Sequence, residues 1–275
     1  MHQNKLQPTR IFKAAKKYAG FSSYGRRVAV RDTDVFITSY PKSGNTWVRF
    51  IIANMLYTDG STDFKNVNQR IPDIYTLPNR QLLSMPSPRY LKSHEYFDPR
   101  YPKILYVVRD VRSVIVSYYH HLTLTGGIPA SQSLSEFTDR LLEGHINPYG
   151  SWQDNVSSWM KVRGQSRDKF QLVRYEDLKN NSFETCKSIS NFLSLELDDN
   201  EIKKVIELSA FERMSSLEKA GIDQTMIKGA TKPVKSGFVR SGKTEEWKRV
   251  LPEVVLENIN TKCGTILQEL GYSQD

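Results

Sequence analysis

The sequence has few cysteines and no long apolar run, and each shortage excludes a class of protein. The two cysteines, Cys186 and Cys263, are too few for a disulfide scaffold, and no histidine lies near them to complete a zinc site. We therefore expect a reducing compartment. No stretch approaches the roughly 18 consecutive apolar residues of a membrane span, and the basic residues 1–20 lack the apolar segment of a secretory signal. These features predict a cytoplasmic protein without a membrane partner.

The composition is that of an ordinary globular protein. Hydrophobic residues make up 39% and charged residues 25% of the 275 residues, which excludes collagen-like, coiled-coil and fully disordered chains. The 39 Lys and Arg exceed the 30 Asp and Glu, so the formal net charge is +9. A basic protein attracts an anionic partner, but nucleic acids, anionic membranes and phosphorylated small molecules all qualify. Charge alone leaves the partner open.

Strand and helix patterns alternate along the chain. Apolar runs bounded by turn residues predict strands at 35–38, 90–94, 103–108 and 170–174. Helical periodicity predicts helices at 46–57, 111–124, 133–143, 150–163, 175–193, 199–208, 210–218 and 252–270. This alternation predicts an α/β fold, with a central parallel sheet flanked by helices. We expect one domain over 1–275, with a helical or irregular extension at 1–30 and a flexible loop over the active site at 219–246.

Polar side chains follow each predicted strand. Lys42 and Thr46, His94, Arg109 and Tyr175 come directly after the four strands in turn. Ligands of doubly wound sheets bind beyond the carboxyl ends of the strands. We therefore expect these residues to line one edge of the sheet.

The loop at 40–47 (YPKSGNTW) has the features of an anion site. A loop that opens a helix offers unpaired backbone N–H groups and the positive end of the helix dipole. Lys42 adds a charge, Thr46 adds a hydroxyl and Gly44 permits close backbone approach. The nucleotide pattern GxxxxGK[ST] is absent, so the loop is only P-loop-like. An ordinary strand-to-helix turn explains the pattern equally well.

Two further segments add basic residues. In 106–120 (YVVRDVRSVIVSYYH), Arg109 ends a strand and Ser117 lies about two helical turns later. An arginine presents a planar fork that suits phosphate oxygens. The segment 237–248 (GFVRSGKTEEWK) is rich in Gly and basic residues. Taken singly, the first segment is equally typical of a solvated arginine and a serine on a helix face. The second is equally typical of a flexible basic loop.

Together the three segments resemble the cytosolic-type sulfotransferases, which use 3′-phosphoadenosine 5′-phosphosulfate (PAPS) as the sulfuryl donor and release adenosine 3′,5′-bisphosphate (PAP). The segment 39–47 is similar to the family's 5′-phosphosulfate loop, with Asn45 where the family usually has Thr. The segment 237–248 resembles the family's RKGxxGDWK element, with Ser241 in place of the Lys. The resemblance extends from about residue 34 to residue 247.

The resemblance implies a set of donor-binding residues. Arg109 and Ser117 match family residues that hold the 3′-phosphate. Tyr175 and Phe211 lie in segments similar to the family's adenine-binding YED and TSFxxM elements, although without that match either ring is more typical of the core. The complete implied set is Lys42, Ser43, Gly44, Asn45, Thr46, Trp47, Arg109, Ser117, Tyr175, Ser209, Phe211, Arg240, Ser241 and Gly242.

The resemblance also implies the chemistry. His94 lies in 91–94 (LKSH), similar to the family's K-[TS]-H, where the histidine is the catalytic base. A histidine has an ordinary pKa near about 6.5 and accepts protons at neutral pH. Lys42 is expected to neutralise charge on the bridging oxygen and Lys92 to support the transferring group. Ser117 is expected to restrain Lys42 until the acceptor is present. No metal is expected.

The acceptor is predicted only as a class. We expect a small molecule with a hydroxyl or amine, with Tyr96 and Phe97 as candidate walls beside the base. Pro252 and Glu253 replace the Thr-Val of the family's dimerisation segment, so we expect a monomer or weak homodimer.

Three alternatives remain open from the sequence. A nucleotide-dependent kinase of related fold would use ATP and Mg²⁺, and the missing GK[ST] argues against it. A basic nucleic-acid-binding protein needs a Lys/Arg patch with interleaved aromatic residues, which the sequence lacks, so no nucleic-acid partner is expected. A donor-binding relative without activity is disfavoured because His94 and Lys42 are both present.

Overall fold

Four parallel strands form the centre of the fold in a computed structural model, which describes residues 27–164, 168–220 and 244–273. The strands are β1 (Val35–Ser39), β2 (Tyr90–Ser93), β3 (Lys103–Val108) and β4 (Phe170–Arg174), in the order β2-β1-β3-β4. Val35 lies opposite Tyr90 on one side and Lys103 on the other, and Ile104 lies opposite Phe170. The predicted α/β fold with a central parallel sheet is confirmed.

Helices connect the strands and cover both faces of the sheet. They are α1 (Asn45–Leu56), α2 (Val67–Arg70), α3 (Asn79–Ser84), α4 (Val111–Thr125), α5 (Leu134–Leu142), α6 (Trp152–Met160), α7 (Tyr175–Asn180), α8 (Ser182–Leu193), α9 (Asp199–Leu208), α10 (Phe211–Ala220), α11 (Trp247–Val250) and α12 (Glu253–Glu269).

Side-chain alternation along the strands produces two hydrophobic layers. Phe36 and Tyr106 belong to one buried cluster, with residues of α4, α5, α6, α11 and α12. Their neighbours Ile37 and Leu105 belong to a second cluster, with residues of α1, α2, α8, α9 and α10. Successive strand residues point to opposite faces, so a strand that is apolar throughout is buried on both. The sheet is therefore the middle layer of a three-layer sandwich.

Local capping sets the start and end of α4, which carries part of the site. The Asp110 side chain accepts a hydrogen bond from the backbone N–H of Arg112, and Gly126 ends the helix in the left-handed conformation. Both positions use residue types that favour those roles. The rigid start of α4 fixes Arg109, which lies between β3 and the cap.

Two predicted helices differ from the structure at their boundaries. The helix predicted at 175–193 is divided into α7 and α8 because Asn181 leaves helical geometry, with φ −142°; asparagine favours such breaks because its side chain competes for backbone hydrogen bonds. The helix predicted at 150–163 begins at Trp152, after Ser151 caps the N–H of Asp154. Most of the predicted 1–30 extension and of the 219–246 loop lies outside the described residues.

Candidate active site

The carboxyl ends of the four strands bring most of the predicted site residues to one edge. A loop at 40–44, here called the anion loop, follows β1, and His94 follows β2. Arg109 follows β3, and Tyr175 follows β4 as the first residue of α7. Since β1 lies between β2 and β3, the anion loop has the histidine on one side and the arginine on the other.

The anion loop turns through two residues with left-handed backbone geometry. Lys42 has φ 68° and Gly44 has φ 96°. A Cβ atom on Gly44 would lie 2.5 Å from Cδ2 of Tyr175, which is inside van der Waals contact. Glycine is required there because it combines positive φ with the absence of a side chain.

The end of the anion loop offers hydrogen-bond donors that suit an anion. Helix α1 begins at Asn45 and has no side-chain cap, so its first backbone N–H groups are available to a ligand. The Asn45 side chain is occupied, because its Nδ2 donates to the Ile37 carbonyl and to Ser39 Oγ, both at 3.1 Å. Among the described residues, Ser43 Oγ is buried and has no hydrogen-bond partner, and Thr46 is half-buried. These groups can bind an anion.

A chain of contacts links the predicted nucleotide-binding residues. The Arg109 guanidinium carbon lies 4.2 Å from the centre of the Tyr175 ring, and its Nη1 donates to the Lys42 carbonyl at 3.5 Å. The Trp47 ring meets Tyr175 edge-on, with centroids 5.3 Å apart. Trp47 Nε1 also donates to the Ser209 carbonyl at 2.9 Å. Residues predicted from separate segments are therefore in contact.

Two other predicted donor-binding residues, Phe211 and Ser117, lie on helices α10 and α4. Phe211 begins α10 two residues after Ser209 and is half-buried. Ser117 is half-buried on α4, and His121 lies one helical turn later, on the same face. Burial and then the positive charge of Lys42 lower the pKa of His121 to about 4. His121 was not predicted from the sequence. Its position four residues after Ser117 on a predicted helix indicates that the two side chains share a face.

The backbone of β1 orients His94. Nδ1 of His94 lies 2.6 Å from the Ser39 carbonyl oxygen, and a carbonyl only accepts, so Nδ1 carries the proton. In the neutral ring the Nε2 atom then has the free lone pair. Burial, and next the charge of Lys92, lower the pKa of His94 to about 3, against smaller opposing effects of Asp73 and the Ser39 carbonyl. His94 is therefore a neutral imidazole at neutral pH, with Nε2 able to accept a proton.

Lys92 forms an ion pair that the sequence did not reveal. Its Nζ lies 2.7 Å from Oδ2 of Asp73, and both side chains are mostly buried. Burial lowers the pKa of Lys92, and Asp73 opposes that effect. Burial raises the pKa of Asp73, but Lys92 and neighbouring hydrogen bonds outweigh it and the net pKa is lowered. Each charge therefore favours the charged form of the other group.

Aromatic rings from two irregular segments pack around the histidine. The Tyr75 ring lies nearly parallel to the His94 ring at 6.4 Å, and the Tyr149 ring is 5.3 Å from both. The Tyr75 hydroxyl accepts from the backbone N–H of His94 at 3.0 Å and donates to Glu95 at 3.2 Å. These tyrosines were not predicted because neither segment has regular structure.

The two predicted acceptor walls point to different places. The Tyr96 hydroxyl packs so closely on Gly150 that a Cβ there would lie 1.6 Å away, which puts Tyr96 against the loop that carries Tyr149. Phe97 instead meets Trp159 edge-on at 5.5 Å and joins the core. Tyr96 is thus the nearer of the two to the rings around the histidine.

The C-terminal motif packs against the start of α4. Ser113 Oγ donates to the carbonyl of Thr244, and the Arg112 guanidinium lies 3.8 Å from the centre of the Trp247 ring. The predicted phosphate-binding residues Arg240, Ser241 and Gly242 precede this anchor and lie outside the described residues.

Two features of the described ranges bear on cofactors and membranes. Within residues 27–164, 168–220 and 244–273, no group of three or more His, Cys, Asp or Glu residues is placed to hold a metal ion. In the same ranges, no helix has both the length and the apolar character needed to cross a bilayer.

Comparison with known proteins identifies relatives over most of the chain. A family model described as "Sulfotransferase domain" matches residues 32–271. Sulfotransferase 1E1 of Rattus norvegicus is 30% identical over 248 residues, covering 83% of this chain and 81% of the relative. An amine sulfotransferase of Oryctolagus cuniculus is 28% identical over 232 residues, covering 80% of this chain and 75% of the relative.

A solved structure has a similar fold. A retinol dehydratase in complex with androsterone and the inactive cofactor PAP has a TM-score of 0.74 at 20% identity, and the match covers 94% of this chain and 84% of that one. The likeness concerns the arrangement of strands and helices described above.

Proposed function

The chain belongs to the sulfotransferase family and is a PAPS-dependent sulfotransferase, and on that premise we propose that it sulfates a hydroxyl or amine of a small molecule with His94 as the base. The proposal rests most on one contact, the 2.6 Å approach of His94 Nδ1 to the Ser39 carbonyl. That contact leaves Nε2 as the proton acceptor and holds it beside the strand that leads into the anion loop.

The donor half of the site is assigned to residues on the β1, β3 and β4 side. The anion loop and the start of α1 hold the phosphosulfate through backbone N–H groups and Lys42. Arg109 and Ser117 bind the 3′-phosphate, since an arginine fork suits phosphate oxygens. Trp47 and Tyr175 supply the ring surfaces for adenine. The remaining proposed donor residues are Ser43, Gly44, Asn45, Thr46, Ser209, Phe211, Arg240, Ser241 and Gly242.

PAPS supplies an activated sulfuryl group, and this chain's residues position it and move one proton. His94 Nε2 takes the acceptor's proton as the new acceptor–sulfur bond forms and the bond from sulfur to the bridging oxygen breaks. PAP leaves with the bonding electrons. Lys42 and Lys92 offset negative charge on the bridging and transferring oxygens, and Ser117 restrains Lys42. Transfers of this kind depend chiefly on positioning and charge stabilisation.

The acceptor is proposed to be a small molecule that reaches Nε2 past aromatic rings. Tyr75 and Tyr149 lie against His94, and Tyr96 contacts the loop that carries Tyr149. Such rings favour flat or apolar molecules with one nucleophilic group. An amine sulfotransferase among the relatives and the androsterone bound in the retinol dehydratase structure support a small acceptor. Phe97 has less support as a wall because it packs on Trp159.

The remaining features of the proposal follow from the family. We propose one sulfotransferase domain over residues 1–275, a cytoplasmic location, and a monomer or weak homodimer. The family model covers residues 32–271, which supports a single domain. Sedimentation velocity tests the oligomeric state.

Two assays test the function. Calorimetric titration should give tight binding of PAP without added metal and much weaker binding of ATP with Mg²⁺. Incubation with ³⁵S-labelled PAPS and a panel of phenols, steroids and amines should label at least one class. Tighter binding of ATP than of PAP, or label in none of the acceptors, would contradict the proposal.

A further inference from the structure

The Asp73–Lys92 pair is built into the β2 side of the sheet by backbone hydrogen bonds. The N–H of Lys92 donates to the Pro72 carbonyl at 2.8 Å, and the N–H of Ile74 donates to the Lys92 carbonyl at 3.2 Å. Asp73 and Lys92 thereby form an isolated parallel bridge outside the edge strand. The backbone thus sets Asp73 beside Lys92 irrespective of any attraction between their side chains.

The carboxylate of Asp73 is held at both oxygens. Oδ2 lies 2.7 Å from Lys92 Nζ, and Oδ1 accepts from the Tyr75 N–H at 2.8 Å. The ammonium has three N–H groups and donates one of them to Asp73, which leaves two for other acceptors. Asp73 can therefore fix the position of Nζ and still leave it able to bind an oxygen of a ligand.

The pair lies next to the proposed base. Lys92 lies in β2, and His94 is the first residue after that strand. The charges of both Lys92 and Asp73 act on His94. Arg49 on α1 also faces the pair, and its charge lowers the pKa of Lys92 further, after burial. The pKa of Tyr149, in the loop before α6, is raised by burial and then by the charge of Asp73.

Without Asp73, the Lys92 ammonium would be buried and would lie near the like charge of Arg49. Both effects disfavour the protonated form, and the Asp73 carboxylate is the group that opposes them. A neutral amine at this position offers less stabilisation to a negatively charged sulfuryl group than an ammonium does. The Asp73 carboxylate therefore favours the protonated, charged form of Lys92.

We propose that Asp73 is a positioning residue for sulfuryl transfer, which keeps the Lys92 ammonium charged and directed at the transferring group. This inference rests on the proposed function, because it assumes that Lys92 supports that group. In this role Asp73 acts through Lys92, and its charge also raises the pKa of the neighbouring His94.

The first test measures Lys92 in the donor-free protein. Competitive acetylation by acetic anhydride across pH, read at the Lys92 peptide by mass spectrometry, gives the pKa of its amine. Asp73→Asn keeps the shape and the acceptor for the Tyr75 N–H but removes the charge that raises the pKa of Lys92, and should therefore lower that pKa. Asp73→Glu should restore part of the shift. An unchanged pKa in Asp73→Asn overturns the inference.

A matched variant controls for the loss of any lysine–aspartate pair. Lys187 and Asp199 form an exposed pair with the same 2.7 Å separation, so Asp199→Asn removes a similar contact far from the sheet edge. It should leave both the Lys92 pKa and turnover unchanged. A fall in turnover in Asp199→Asn equal to that in Asp73→Asn would show a general stability effect and contradict the role of Asp73.

The second test follows the pH profile of transfer from PAPS to an acceptor found in the panel. In Asp73→Asn the alkaline limb of kcat/KM should move to lower pH by the amount that the first test measures for Lys92, while PAP affinity stays unchanged. In a Lys92→Met background, Asp73→Asn should not move the alkaline limb further, and any change should be confined to the acid limb, where the Asp73 charge acts on His94. If the wild type transfers sulfate and the alkaline limb does not move in Asp73→Asn, the role of Asp73 is refuted and the proposed function stands. If the wild type neither binds PAP nor transfers sulfate, the proposed function itself is refuted.

Discussion

The carbonyl oxygen of Ser39 lies 2.6 Å from Nδ1 of His94, which joins the last residue of β1 to the first residue after β2. Ser39 is also the residue directly before the anion loop. The group that selects the tautomer of the proposed base is therefore part of the strand that positions the anion loop. A shift of β1 relative to β2 would disturb both at once, so His94 and the anion loop keep a fixed relation.

Replacing His94 by Ala should abolish turnover with little effect on the donor. Loss of a general base typically costs about 10²–10⁴-fold in rate, whereas PAP contacts other residues in the proposed mechanism. We expect kcat/KM to fall by that factor and the PAP dissociation constant to stay within about twofold. His145, an exposed histidine beside Glu143, provides the control as His145→Ala. Equal turnover in the His94 variant and the wild type would remove His94 from its role.

Replacing Arg109 by Ala should weaken a donor that carries a 3′-phosphate. Hydrogen bonds to a charged group contribute about 1.5–3 kcal/mol, so PAP affinity should fall by at least about tenfold. Adenosine 5′-phosphosulfate, which lacks the 3′-phosphate, should lose much less. Calorimetry of both ligands with Arg109→Ala, and with Arg80→Ala as an exposed control, measures the difference. Equal losses for the two ligands contradict the assignment.

Replacing Gly44 by Ala should damage both the loop and the fold. A left-handed backbone costs a non-glycine residue about 1–2 kcal/mol, and the new Cβ would press on Tyr175. We expect a loss of at least that size in the free energy of unfolding, measured by urea denaturation, together with weaker PAP binding. At Gly164 a Cβ would meet nothing within 4 Å, so Gly164→Ala should stay within about 0.5 kcal/mol. Similar losses in both variants would count against the close fit at Gly44.

Acidification should destabilise the protein partly through His121. Its pKa in the folded state is about 4, against about 6.5 when unfolded, so the unfolded chain takes up the proton first. Stability linked to this group is intact above about pH 6.5 and falls as the pH drops towards 4. His121→Gln removes the proton site, so its stability relative to wild type should rise by about 1 to 2 kcal/mol between pH 7 and pH 5. Parallel pH curves for the two proteins would exclude this effect.

The sheet and its functional edge were predictable because the signals are local. After Lys103, the strand Lys103–Val108 is an unbroken apolar run (ILYVV), and Arg109 follows it directly. Parallel strands then require Arg109, His94 and Tyr175 to share an edge. The division between α7 and α8 was not predicted, because a single Asn181 inside a helical pattern is too weak a signal to mark a break.

The acid partner of Lys92 was not predictable because its contact is not part of a regular element. Asp73 follows Pro72 in an irregular stretch and lies 19 residues from Lys92. The two meet through one isolated bridge, which leaves no repeating pattern in the sequence. Tyr75 and Tyr149 were missed for the same reason, since their positions beside His94 depend on how the irregular segments fold back.

The strand order β2-β1-β3-β4 divides the proposed site into two flanks. His94 and Lys92, with Asp73 attached, stand on the β2 flank, while Arg109 and Tyr175 stand on the β3–β4 flank. Under the proposed roles, substitutions along the outer rim of β2 would change which molecule receives sulfate and leave the nucleotide contacts intact. The central position of β1 would then allow acceptor choice to diversify on a constant nucleotide platform.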